Sequence, residues 1–238
     1  INNSIIVPRV FKARGQQTAS SRDMAEVFTP SWICNAQNNL VDKEWFGREG
    51  VFNKENEDNT WTTNLERVAF PEGKTWKDYV RDNRLEITCG EAPYIASRYD
   101  TTTGEPIPIT DRIGILDRKL RVVSENTENS ADWLEAAQDA LKSTYGYEWQ
   151  GDNLLLAREN LLYTFQDFYK AKFGKKPLKA SLKYAAYIIS WNLFQMDGLK
   201  GVIPCSCKDE EEPTLFGDPI ITPCRGCQRE GFLNHTGT

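Results

Sequence analysis

The sequence predicts an α/β protein: a parallel sheet with helices on both faces, followed by a small cysteine-rich C-terminal knuckle. Three observations predict it. Strand-like runs at Leu85–Cys89, Ser143–Trp149 and Ile188–Met196 alternate with helical repeats, the pattern of parallel strands joined by crossover helices. The first run is stopped by Gly90, which lets the backbone turn sharply and leaves no side chain between it and a ligand. With a helix expected next, strand, glycine turn and helix form the arrangement by which open α/β sheets hold a nucleotide-like ligand at the carboxyl ends of their strands. Lastly, four of the six cysteines crowd the last 34 residues.

A chain of 238 residues suits one large domain or one domain with an appendage, and at this size it needs no covalent staples. The net charge of −5 argues against a generic basic coat for nucleic acid and leaves room for a local basic groove. No apolar run is long enough to span a bilayer and the N-terminus carries no signal-peptide core, so a cytoplasmic protein with no membrane partner is expected. The chain begins at Ile1 and stops at Thr238 in loop-like sequence; trimming at both ends is expected.

Taken in order, 1–25 is a basic arm, with Arg9, Lys12, Arg14 and Arg22 among small polar residues; it either orders against something else or touches phosphate. The main domain is expected over 26–200. Thr29 is placed to cap a helix and Pro30 to begin it, where its missing N–H costs nothing; Ser31–Asp42 continues that helix. A polar, aromatic-studded excursion follows, with one short helix near Thr75–Arg81. After the glycine turn, Ser97–Pro106 reads as a turn-rich loop. Ile113–Val123 reads as a helix with Leu116, Leu120 and Val123 on one face, and Asp132–Lys142 as an amphipathic helix. Asp152–Ala171 gives the strongest helical spacing, and Leu178–Ile189 another. The third strand is expected to end before Asp197.

Acidic residues stand at the ends of two of these strands. Glu148 precedes a helix directly, where doubly wound sheets use a carboxylate to accept hydrogen bonds from ribose hydroxyls. Asp197 follows the third strand. Each alone reads as a solvated loop carboxylate; together at successive strand ends they outline a nucleoside site.

These residues, in this order, resemble the AdoMet-dependent DNA-adenine methyltransferases of restriction–modification systems. Glu26-Val27-Phe28-Thr29-Pro30 resembles the N-terminal motif whose Thr and helix start meet the methionine end of the cofactor. Glu86-Ile87-Thr88-Cys89-Gly90-Glu91 resembles the glycine motif, and Ile115–Leu120 the helix after it. Tyr145-Gly146-Tyr147-Glu148 with Ala157-Arg158-Glu159-Asn160-Leu161 is similar to the next strand and helix, and Asn192–Leu199 to the segment whose Asp holds the cofactor adenine. The resemblance implies a Rossmann-like sheet, S-adenosyl-L-methionine as cofactor and duplex DNA as partner. It implies cofactor contacts from Phe28, Thr29, Pro30, Glu86, Thr88, Cys89, Gly90, Glu148 and Asp197.

The chain departs from the pattern at three places. Thr88 stands where Pro or Ala is usual, and Ala92-Pro93 where a second glycine and an apolar residue are expected. No Asn/Asp/Ser-Pro-Pro-aromatic tetrapeptide occurs. That motif accepts the protons of the adenine amine and stacks on the flipped base, so without it no catalytic residue is assigned. Glu91-Ala92-Pro93-Tyr94 imitates it but belongs to the cofactor loop.

The tail, 201–238, carries Cys205-x-Cys207 and Cys224-x-x-Cys227, sixteen residues apart. Four thiolates at these spacings suit one tetrahedral structural zinc. His235 is an alternative ligand, and four free thiols in a polar loop the plainer reading. Cys34 and Cys89 read as core. Two functions stand beside the methyltransferase: a non-catalytic subunit that needs a partner chain to complete its site, and a zinc-knuckle nucleic-acid-binding protein on a degenerate methyltransferase scaffold.

Overall fold

The computed structural model describes residues 6–12, 28–198, 201–203, 210–214 and 217–222. Helix α1 covers Ser31–Phe46, and β1 (Asn53–Glu55) and β2 (Trp61–Thr63) form an antiparallel hairpin. Then come α2 (Trp76–Arg81), β3 (Arg84–Ile87), α3 (Ile115–Asn126), α4 (Ser130–Lys142) and β4 (Thr144–Glu148). The long α5 (Gly151–Phe173), α6 (Lys179–Asn192) and β5 (Leu193–Gln195) follow. In the tail a second small antiparallel hairpin joins β6 (Glu210–Glu212) to β7 (Ile220–Thr222); the four tail cysteines and His235 lie outside the described residues.

Strands β3, β4 and β5 make a parallel three-stranded sheet in that order, Leu85 opposite Tyr145 and Tyr147 opposite both Ile87 and Phe194. The α/β class and the parallel pairing therefore stand. Helices on both faces do not, among the described residues. The strand order advances in one direction, and right-handed crossovers that advance one way all return over the same face. The covered face buries Thr144, Gly146 and Leu193; on the other, Leu85, Ile87 and Phe194 remain 48, 45 and 37% exposed. The second edge of β3 carries no strand among the described residues.

Three local expectations change. No α-helix follows Gly90 directly: 88–114 is a loop broken only by a 3-10 turn at Ile109–Asp111, and the next α-helix starts at Ile115. Thr29 does not cap α1 and Pro30 is not its first helical residue; Pro30 stays extended (φ −55°, ψ 146°), and the Ser31 N–H donates instead to Asp100 Oδ2 at 2.7 Å, 69 residues away. Ile188–Met196 is divided, helix to Asn192 and strand after it. The Asn192 side chain donates to the carbonyls of Leu141, Lys142 and Thr144, which stops the helix and sets β5 beside β4. Gly146 sits in mid-strand because a Cβ there would meet Cys89 Sγ at 3.0 Å.

Helix α3 is not the one-sided helix its apolar spacing implies. It is buried nearly all round, including three consecutive charged residues, Asp117, Arg118 and Lys119. Lys119 Nζ donates to Asp82 O, Ser143 O and Ser143 Oγ at 2.6, 3.2 and 2.7 Å, tying the helix to the starts of β3 and β4. Burial, with the charge of Arg84 adding to it, pulls the Lys119 amine down to about 7.

The unfolded chain keeps that amine charged to near pH 10, so between pH 7 and 10 the unfolded state binds the extra proton and stability climbs with pH. Relative to Lys119→Met, the native chain is expected to gain up to about 1.4 kcal/mol per pH unit across that window, read as denaturant midpoints at pH 7, 8 and 9.

Candidate functional site

Beyond the carboxyl ends of β3 and β4 lies a cleft of about 330 Å³, within the size range of small-ligand sites. Seven of the nine residues expected to meet a cofactor line it: Phe28, Thr29, Glu86, Thr88, Cys89, Gly90 and Glu148. Pro30 and Asp197 are not in the lining. Asp197 follows β5, its N–H donating to Val202 O at 2.8 Å and its carbonyl accepting from Gly201 N.

The geometry is built from the backbone outward. Gly90 adopts φ +53°, with open space where a Cβ would be, the left-handed region that glycine enters without strain. Its N–H donates to Glu148 Oε2 at 2.8 Å, while Glu148 Oε1 accepts from Gln150 N at 2.8 Å. One carboxylate thus fixes the turn after β3 to the turn after β4, and each oxygen retains a lone pair for a ligand. Ala92 holds φ +64°, a left-handed conformation that costs a residue with a Cβ roughly 1–2 kcal/mol. The Ala92 N–H donates to Cys89 O at 2.6 Å, and Ala92 O accepts from Ile95 and Ala96 N–H.

Asn160 Nδ2 donates to Glu91 O and Tyr99 Oη at 3.0 and 3.1 Å, and the Tyr99 hydroxyl donates to Glu91 Oε2 at 2.5 Å. Arg158 donates to Leu193 O and Ser190 O. Both residues of the Ala157–Leu161 motif therefore act as clamps, one on the cleft loop and one on β5.

Three carboxylates, Glu86, Glu91 and Glu148, line the cleft, and among the described residues no Lys, Arg or His does. Glu86 Oε2 is buried without a hydrogen-bond partner. Burial first and the neighbouring Glu148 carboxylate second push the Glu86 carboxyl well above its usual range, against a backbone hydrogen bond from Tyr94. Burial, with Glu86 and Glu148 beside it, likewise pushes up the Cys89 thiol; as a neutral, 1% exposed group it is core and not a nucleophile. Phe28, Tyr94 and Trp149 supply aromatic surface.

Sequence reasoning missed Glu91, Pro93, Tyr94, Trp149, Gln150 and Asn153 in the lining. The last three follow Glu148 at the helix start, and that position was the available signal. Among the described residues no group of three or more His, Cys, Asp or Glu could hold a metal ion. No family model matches the chain, and neither a curated protein nor a solved structure matches it.

Replacing Glu148 with Gln leaves an amide N–H₂ facing one of two backbone donors. Glu148→Gln is expected to lower stability by about 1–3 kcal/mol in urea denaturation, because a buried donor loses its acceptor.

Proposed function

We propose that the chain is the AdoMet-binding part of a DNA-adenine methyltransferase-like modification subunit, on a Rossmann-like sheet, with a zinc-stabilised cysteine tail. One observation carries the cofactor reading: a strand-end cleft lined, among the described residues, by three carboxylates and aromatic rings with no cationic side chain. Phosphate-bearing nucleotides need donors or positive charge around their anionic groups. AdoMet presents a nucleoside with an ammonium, a sulfonium and a single carboxylate, and no phosphate. Glu148 is suited to the ribose hydroxyls, Glu86 to the ammonium, and Asp197, beyond the lining, to the adenine. An approaching cation favours the ionised form of Glu86. Binding holds the methyl donor in place, which supplies proximity but leaves the adenine amine inactive.

A second reading, that a partner chain completes the site, is favoured by a specific observation. In doubly wound sheets the ligand lies where the strand order reverses, beside the first strand. Here that position is the edge of β3 that is unpaired among the described residues, and the chain lacks the proton-accepting tetrapeptide. A fourth parallel strand on that edge would bring its carboxyl end to the cleft.

Calorimetry is expected to show AdoMet binding and no binding of ATP or NAD. Glu148→Ala should weaken AdoMet about tenfold or more, given the roughly 1.5–3 kcal/mol of a hydrogen bond to a charged acceptor. Methyl transfer to duplex DNA by the chain alone should be very slow or absent. ATP binding as tight as AdoMet would overturn the cofactor reading, and rapid turnover the need for a partner.

For the tail, elemental analysis of metal-replete protein is expected to find about one zinc per chain, held by Cys205, Cys207, Cys224 and Cys227. Zinc-free protein with four freely titrating tail thiols would remove this part of the reading.

A further inference from the structure

A second cavity, of about 340 Å³, lies between the β1–β2 hairpin, α3 and the C-terminal part of α5, and shares no lining residue with the cleft. Its walls are of two kinds. Phe52, Ile109 and Phe168 give an apolar surface, and Arg112, Arg118 and Asp117 bring buried charge to it.

The charged residues are incompletely used. Arg112 Nη2 donates to Asp167 at 2.8 Å, while Arg112 Nη1 is buried with no partner. Arg118 spends Nη1 on Asp42 and Nη2 on Asn35 and Asn39, while its Nε is buried with no partner and its guanidinium lies 5.2 Å from the Phe52 ring centre. Asp117 Oδ2 accepts from Ser97 N, Ser97 Oγ and Gly114 N, while Oδ1 accepts nothing and stands 4.0 Å from Arg112 Nη1. That separation is too long for a hydrogen bond and suits one oxygen in contact with both. A buried polar atom left unpaired is costly, and folds rarely leave several beside one cavity without something to meet them.

We propose that this cavity is a second ligand site, for a small organic carboxylate with an apolar body. The headgroup takes the unused guanidinium hydrogens of Arg112 and Arg118, and the body packs against Phe52, Ile109 and Phe168. The spare donors sit on two planar guanidinium groups, two N–H on Arg112 Nη1 and one on Arg118 Nε, and planar guanidinium edges suit a planar carboxylate. Burial raises the Asp117 carboxyl, against the attraction of Arg112. A single water could bridge the 4.0 Å gap, but it would leave the apolar walls empty.

The test uses the intact chain and three probes: benzoate, benzyl alcohol (the same ring without charge) and acetate (the same charge without the ring). Nuclear magnetic resonance titration should show benzoate binding at least about tenfold tighter than either comparator, with shifts at Ile109, Phe168 and their neighbours. Ala171→Trp, at an exposed α5 position on the cavity wall, should abolish binding while the melting temperature and AdoMet affinity stay unchanged. Arg112→Lys should weaken benzoate about tenfold, through loss of the spare planar donor. Equal binding of benzyl alcohol, benzoate binding that survives Ala171→Trp, or no binding at about 10 mM would each overturn the proposal. Should Arg112→Lys fail to fold, Ala171→Trp and the comparators still decide it.

Discussion

The arrangement depends on three consecutive buried charges on α3. Successive residues of a helix point about 100° apart, so Asp117, Arg118 and Lys119 fan out in three directions from one turn. Asp117 receives the loop that follows the cleft, through Ser97 and Gly114. Arg118 holds α1 through Asp42, Asn35 and Asn39, and Asp42 also accepts from the Tyr79 hydroxyl at 2.9 Å. Lys119 holds the starts of β3 and β4. Buried charges are costly unless well partnered and add little net stability over an apolar core. What they fix here is position: loop, first helix and sheet are referred to one helical turn.

The cleft inherits that positioning. Helix α1 ends its N-terminal approach against Asp100, whose carboxyl sits at about 2 because hydrogen bonds led by the Thr102 hydroxyl and the Ser31 N–H outweigh its burial. This places Phe28 and Thr29 over the strand ends, where Thr29 O accepts from Thr101 Oγ1 at 3.1 Å. The Tyr94 hydroxyl bonds Thr29, and its phenol is pushed up by burial and by Cys34 beside it. The N-terminal wall and the glycine loop of the cleft are therefore tied to each other, while Glu148 sets the distance between the two strand ends.

Much of this was legible in the sequence, and the reasons differ by element. Helices α2 to α6 and strands β3 and β4 follow from local periodicity, which depends on residues a few positions apart. The convergence of Phe28, Thr29, Glu86, Thr88, Cys89, Gly90 and Glu148 followed from motif order. The start of α1 was misread because its capping group lies 69 residues away, and no local pattern carries that. Asp117, Arg118 and Lys119 look in sequence like a solvated helical face; their burial is decided by partners on α1, the loop and the strand starts. The single-sided sheet was hidden for a related reason: alternation predicts parallel pairing, but the direction in which strands are added is a property of the whole sheet.

The edge of β3, unpaired among the described residues, is also a place where copies of the chain could meet at high concentration. Its outward N–H and C=O groups belong to Leu85 and Ile87, whose side chains are both about half exposed. Such an edge, with no proline or bulge to blunt it, is a template for another strand. Two identical edges related by a two-fold axis pair antiparallel, which would extend the sheet to six strands and join the apolar faces into one surface. The edge is only four residues long, and the chain carries a net charge of −5, so mutual repulsion opposes that pairing. Salt screens this repulsion within about 10 Å at 0.1 M, which makes ionic strength the solution variable that sets the colloidal behaviour of the isolated chain.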